Sequence, residues 1–364
     1  MRIAQVAPLF ERVPPRLYGG TERIVSYLTE ELVRQEHDVT LFASGDSITA
    51  AELVCPCETA LRLNPAVADP IPYHVMLIEQ VMERAHEFDV IHFHLDLLHF
   101  PFARRIGSRA VTTLHGRLDL PDLPGFYGMF GSSPLVSCSN DQRRPLPSVN
   151  WAGTVHHGLP INLLRPVASG EGGYLAFLGR ISPEKGPDRA IEIASRLGMP
   201  LKIAAKVDKA DQAYWDSEIK PLVDSHHNVE FIGEVNEAQK MDFLSRARAV
   251  LFPIEWPEPF GLVMIEAMAC GTPVIAYRWG SVPEVIEHGV SGFIVEDIDE
   301  AVDAVRRIDE IDRAAVRRAF ERRFTAEQMT KGYLKIYRKL IDDYRGPGKL
   351  RAAPAVNAQI QSNA

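Results

Sequence analysis

Twice along its length this chain alternates short apolar runs with helix-length stretches that carry one apolar face. That alternation confines it to parallel sheets covered by helices. In the first half the strands read over residues 3–7, 39–43, 89–93, 110–114, 135–139 and 154–157. A helix follows from about Glu22, with Ile24, Val25, Leu28, Leu32 and Val33 on one face and Thr21 as its expected N-cap; another covers 73–86. Residues 44–72, with Cys-Pro-Cys and several prolines, read as irregular. In the second half the strands read over 174–178, 201–205, 229–232, 249–252 and 274–277, with helices over 187–197, 212–223 and 237–246. Helices over 298–308, 311–324 and about 326–344 close the chain. The small, polar stretch 166–172 reads as a linker and 346–364 as a disordered tail. The chain has 364 residues, more than the roughly 250–300 at which one core stops growing. The expected fold class is therefore α/β: two Rossmann-like, doubly wound parallel-sheet domains, 1–168 and 169–325, facing across a cleft.

Composition removes several functions. The formal charge is −8 and no block of Lys and Arg offers a nucleic-acid footprint. Cys55, Cys57, Cys138 and Cys270 form no CxxC pair and no zinc spacing, and thiols without a disulfide framework point to the cytosol. No apolar run reaches the ~18 residues of a membrane span, and the opening apolar segment is too short for a secretory signal. No G-x-G-x-x-G follows the first strand of either half, which disfavours a nicotinamide-dependent oxidoreductase.

One stretch concentrates the chemistry. From Pro253 to Val295 a strand enters a Trp/Pro/Glu corner. A helix then begins near Phe260, with Pro259 at or just before its first turn, and stops at Gly271 before the next strand. Glu258 stands ahead of that helix, and Glu266 lies inside it among apolar residues, where a carboxylate needs partners. Alone, the two acids read as a solvated loop acid and a satisfied structural one. Gly19 and Gly20 end the first long loop at a helix start, where a backbone can approach a phosphate closely.

The block Glu258-Pro-Phe-Gly-Leu-Val-Met-Ile-Glu266, with the following Ala-Met-Ala-Cys-Gly-Thr-Pro-Val-Ile-Ala, Ser281 to Glu284 and Gly289 to Val295, resembles retaining GT-B-fold glycosyltransferases of family 4. Gly179-Arg180…Lys185-Gly186 resembles the cationic element of the same family. Cations there make chemical sense, because breaking a sugar–diphosphate bond builds negative charge on the departing phosphate. The resemblance implies a metal-independent hexosyltransferase with a nucleotide-sugar donor, UDP-glucose by preference, and a hydroxylated small-molecule or saccharide acceptor. No residue need then be a covalent nucleophile. The opening Pro-Leu-Phe-Glu-Arg-Val-Pro-Pro and Tyr-Gly-Gly-Thr-Glu look like a subgroup that glucosylates reduced pterins.

By that resemblance Arg180 and Lys185 clamp the diphosphate and Glu258 meets the sugar hydroxyls. Phe260, Gly261 and Leu262 offer backbone N–H groups, Glu266 holds the ribose, and His115 contacts the transferred sugar. Gly19 and Gly20 face the diphosphate, and the base lies near Gly233 and Val235. Lys206 stands where the family has a glycine, and His156-His157 where it has Asn. The last helix, 326–345, packs back on the first domain. No other cofactor is implied. The partners are the nucleotide-sugar and acceptor, with no nucleic acid and at most peripheral membrane contact; homo-oligomerisation is left open. A metal site at His92 and His94, with His99 and His115 near, is the alternative chemistry, but no Cys or carboxylate completes a ligand set. A sugar-nucleotide 2-epimerase and a non-catalytic sugar-nucleotide-binding protein are the alternative functions; Arg180 and Lys185 count against the first, and all four charged residues against the second.

Overall fold

The computed structural model describes residues 1–16, 19–62, 64–167 and 173–345. Tyr18, most of the expected linker and the expected tail lie outside them. Two wholly parallel sheets organise the rest. The first contains β1 (Arg2–Val6), β2 (Asp38–Phe42), β3 (Glu52–Val54), β4 (Val90–Phe93), β5 (Ala110–Leu114), β6 (Leu135–Ser137) and β7 (Trp151–Thr154), in the order β3-β2-β1-β4-β5-β6-β7. The second contains β8 (Leu175–Arg180), β9 (Leu201–Lys206), β10 (Val229–Gly233), β11 (Ala249–Phe252), β12 (Val274–Tyr277) and β13 (Gly292–Val295), in the order β10-β9-β8-β11-β12-β13. Central strands such as β4, β11 and β12 are buried along their whole length. Helices cover both faces, which is why these strands read as continuous apolar runs.

Each sheet winds outward in both directions from its middle. In the first, β1 pairs with β2 on one side and β4 on the other; in the second, β8 pairs with β9 and β11. These are the points where strand order reverses, and ligands of such sheets bind outside the strands' carboxyl ends there. The loops after β1, β4, β8 and β11 are therefore the ones to follow.

Several expectations are corrected. β3 lies inside the stretch read as irregular, paired to β2 from Thr40↔Glu52; it is short and partly exposed, so it carries little apolar signal. β7 ends at Thr154 rather than His157. Beyond it the chain leaves the sheet toward the C-terminal helices, with a Leu159–Thr325 bridge and a Gly158 whose added Cβ would lie 2.2 Å from the Thr325 carbonyl oxygen. β13 is a further strand beyond those expected; it opens on Gly292, and that glycine permits the approach to β12, an added Cβ meeting the Val274 carbonyl oxygen at 1.9 Å. Thr21 is not an N-cap. The helix begins at Gly20 with Gly19 at the cap position and no side-chain cap. The helix expected near Phe260 begins at Leu262, with Gly261 at its cap in the left-handed region (φ 74°). Pro259 and Phe260 therefore belong to the loop. The helix read over 212–223 carries a π-helical turn, Trp215–Ile219.

Candidate active site

The carboxyl ends of the two sheets enclose a cavity of about 760 Å³, within the size range of small-molecule sites. Its second-sheet wall is two loops locked together. Gly186 has φ 70° and an added Cβ would sit 2.4 Å from the Pro253 carbonyl oxygen, so the loop after β8 lies directly on the loop after β11. The Glu255 N–H also donates to the Glu184 carbonyl at 3.0 Å. Ser281 fixes the far side: its N–H donates to the Glu258 carbonyl (3.0 Å) and its Oγ to the Phe260 carbonyl (2.8 Å).

On this frame Lys185 and Glu258 form an ion pair, and the Lys185 ammonium lies 4.8 Å from the centre of the Trp256 ring. Arg180 lies on the same wall, 2.8 Å from Glu184 and 3.5 Å from Asp211. Gly19, Gly20, His115, Phe260, Gly261 and Leu262 line the cavity with them. A smaller adjoining cavity, about 160 Å³, shares Gly19, Gly20 and Leu262 and is bordered by Lys206, Val235 and Glu266. Glu266 is buried on its helix and is held by Lys240 Nζ at 2.7 Å; Lys206 pairs with Asp208 at 2.8 Å. Gly233, which closes β10 with φ 74°, lines neither cavity.

The first-sheet wall sets a cluster of neutral histidines beside the ionisable side chains Glu22, Arg62 and Asp96. His115 follows β5, its ring stacked on His157 at 5.2 Å, and burial pushes its pKa down to about 4. The metal alternative fails on geometry. His92 uses both ring nitrogens, on Tyr337 Oη and Thr113 Oγ1 (2.7 Å each); His94 spends its own on His115 Nε2 (2.9 Å) and Gln5 Oε1 (2.8 Å); His99 Nε2 meets Thr112 Oγ1 (2.7 Å). Among the described residues no group of three His, Cys, Asp or Glu side chains is placed to hold a metal ion.

Sequence reasoning missed three participants, Lys240, Glu22 and Trp256, and the contacts of Glu284, which lines neither cavity. Lys240, the buried partner of Glu266, also meets Glu237, which pairs with Arg23 from the opposite half of the chain; no local pattern links positions so far apart. Glu22 lines the main cavity, and burial raises its carboxyl to about 7. Glu284, inside the quoted Ser281–Glu284 element, accepts from the backbone N–H groups of Asn140 and Asp141 (both 2.8 Å) and sits 3.2 Å from His156 Nε2. Burial alone would raise its pKa, but the His156 and backbone hydrogen bonds bring it to about 2. Trp256 was visible in the Trp/Pro/Glu corner, yet nothing in the sequence placed it under Lys185.

Comparison with known proteins gives consistent matches. The family described as "Glycosyl transferases group 1" matches residues 165–322, and "Glycosyltransferase Family 4" matches residues 18–144. A D-inositol 3-phosphate glycosyltransferase of Mycolicibacterium smegmatis is 32% identical over 180 residues, 47% of this chain and 41% of that protein. The chain thus aligns with less than half the length of that relative. A glycosyltransferase of Methanocaldococcus jannaschii is 25% identical across 81% of this chain and 85% of its own. Among solved structures, Anabaena HepE in complex with UDP and glucose superposes with a TM-score of 0.70 at 20% identity, covering 93% of this chain and 100% of that one. The two sheets thus have the GT-B arrangement.

Proposed function

We propose that this chain, whose two parts match the group 1 glycosyl transferases and glycosyltransferase family 4, moves a hexose with retention from a nucleotide-sugar, UDP-glucose by preference, to a hydroxylated small molecule or saccharide. One observation carries the reading: Arg180 and the Lys185–Glu258 pair sit at the second sheet's reversal point, beside Gly19 and Gly20 and next to the cavity that Glu266 borders.

The chemistry follows from charge. Cleaving the anomeric C–O bond leaves negative charge on the diphosphate. Arg180 and Lys185 are preorganised cations for it, already held by Glu184 and Glu258 in a partly dry wall. When a phosphate takes the Lys185 ammonium, Glu258 is freed to accept from sugar hydroxyls and to face developing positive charge at the anomeric carbon. Glu266 accepts from ribose hydroxyls while keeping Lys240 as counter-charge, and Lys206 and Val235 border the base. The diphosphate takes the acceptor's proton, so protein cations do the work a divalent ion could do. Gly233 keeps only a backbone role at the edge of the base site. In this reading residues 1–168, with helix 326–345 packed on them, supply the acceptor side and 169–325 the donor side. A reduced pterin is the first acceptor to try, on the strength of the opening segment.

A panel of nucleotide-sugars scored by melting shift, then an acceptor screen with EDTA present, tests the reading. The expected result is a shift with UDP-glucose and an α-linked product formed despite EDTA. A β-linked product, or transfer that stops with EDTA and returns with Mg²⁺, contradicts it.

A further inference from the structure

The buried hydrogen-bond chain running from the last helix to the cavity wall has a direction, and we propose that this direction fixes which nitrogen His115 offers to a substrate hydroxyl. The inference rests on the reading of the cavity as a sugar-transfer site. It starts at Gln5 in β1, whose side-chain amide nitrogen donates to Tyr337 Oη at 3.1 Å and whose oxygen faces His94 Nε2 at 2.8 Å. An amide oxygen only accepts, so His94 carries its proton on Nε2. A neutral imidazole has one N–H, so His94 Nδ1 must accept. The atom 2.9 Å from it is His115 Nε2, which therefore donates. His115 is left with an unprotonated Nδ1, and among the described residues no protein group occupies that atom.

The other branch takes its direction from the same Gln5 amide. Tyr337 Oη receives from Gln5 and gives its own proton to His92 Nδ1 (2.7 Å). That places the His92 proton on Nε2 against Thr113 Oγ1 (2.7 Å), which meets Tyr333 Oη at 3.1 Å. Gln5, His92, His94, Tyr333 and Tyr337 are all essentially inaccessible. Each polar atom in such a place must be paired, so the members change direction together or not at all. Burial keeps the three imidazoles neutral at ordinary pH, lowering each pKa below 6.5. Turning the Gln5 amide over would shift every proton one partner along and give His115 an N–H where it now has a lone pair.

Gln5 and Tyr337 do not line the cavity, so they are positioning residues. They make His115 an acceptor of a sugar hydroxyl and bar it from donating. The last helix thereby takes part in setting the site, not only in packing.

The test is long-range ¹H–¹⁵N correlation on the full chain labelled at histidine, with His115 assigned through His115→Asn. Wild type is expected to show His115 protonated at Nε2. Tyr337→Phe keeps the ring and removes the hydroxyl that orients Gln5. It is expected to give a mixture of His115 tautomers and a kcat lower by roughly two- to tenfold, the worth of about one hydrogen bond, with donor KM nearly unchanged. Wild-type His115 protonated at Nδ1 overturns the proposal, as does Tyr337→Phe with unchanged tautomer and kcat. The wild-type spectrum decides even if the variant fails to fold. It also needs no substrate. An Nε2–H His115 in a chain that turns over no nucleotide-sugar leaves the relay standing and removes the sugar-transfer reading. Transfer by a chain with Nδ1–H removes the relay alone.

Discussion

The two walls of the cavity solve different problems with different chemistry. The second-sheet wall is ionic: Arg180 ends β8, and Lys185 and Glu258 sit on loops pinned by Gly186, Gly261 and Ser281, each charge already beside an opposite one. The first-sheet wall also carries Glu22, Arg62 and Asp96, but its hydrogen-bonded part is built from neutral groups: His115, His94 and Gln5 lie in a buried chain in which no member is charged at ordinary pH. Fixed charge suits a group whose charge grows during reaction, and directed neutral dipoles suit hydroxyls that must be oriented. On the proposed reading the cations of the ionic wall meet the diphosphate, its carboxylates meet sugar and ribose hydroxyls, and His115 orients a further hydroxyl from the other wall.

The largest expected effect breaks the ionic wall. Arg180→Ala or Lys185→Ala should lower turnover on the order of 100-fold or more, as loss of other oxyanion-type donors does; steady-state assays on both variants check it. Glu258→Gln should cost more than tenfold in turnover, because a neutral amide cannot meet developing positive charge with the same strength. Its melting temperature should stay within a few degrees, a change of roughly 1 kcal/mol or less, since its ion pair lies at a cavity wall rather than in a core.

Lys240→Ala sharpens the comparison from inside the ionic half. It leaves the buried Glu266 carboxylate without its counter-charge, at an expected cost of about 1–3 kcal/mol, moderated by the neighbouring cavity. Thermal melting and UDP titration should both register the loss, whereas Glu258→Gln should leave UDP binding nearly intact.

The smallest effect lies at the first wall and follows from pH. The Glu22 carboxyl is raised from 4.5 to about 7 in the folded chain. Between those values the folded state holds a proton that the unfolded state has released, so stability falls as pH rises through that window. Glu22→Gln should be near neutral at pH 4.5 and stabilising by a few degrees at pH 8, as read by melting curves. His115 has the opposite sign. Its pKa is lowered from 6.5 to about 4, so its contribution is fully present above pH 6.5 and is lost as pH falls toward 4.

The same contrast explains what the sequence could show. Strands buried on both faces announce themselves, and the runs at 249–252 and 274–277 coincide with β11 and β12. Arg180 and Lys185 stood out at a strand's carboxyl end, whereas Glu258 and Glu266 read as ordinary acids until the resemblance of the surrounding block made them candidates. Three of the four edge strands were harder to read, since β3 is half exposed, β13 opens on a glycine and β7 is shifted along the chain, whereas the edge strand β10 coincides with the run at 229–232. Partnerships across the chain were invisible too, because Lys240 meeting Glu266 and Tyr337 meeting Gln5 are products of tertiary packing. His92 and His94 illustrate the limit. Their spacing put them on one strand face and raised a metal site, but only their buried partners show that every ring nitrogen is already engaged.

The most direct measurement is calorimetric titration of UDP-glucose into wild type, Arg180→Ala and Lys185→Ala, each with EDTA present. Saturable binding to wild type, weakened by tenfold or more in either variant, is the predicted result. Equal affinity in all three chains, or no wild-type binding until a divalent metal is added, would contradict the assignment of the diphosphate to the ionic wall.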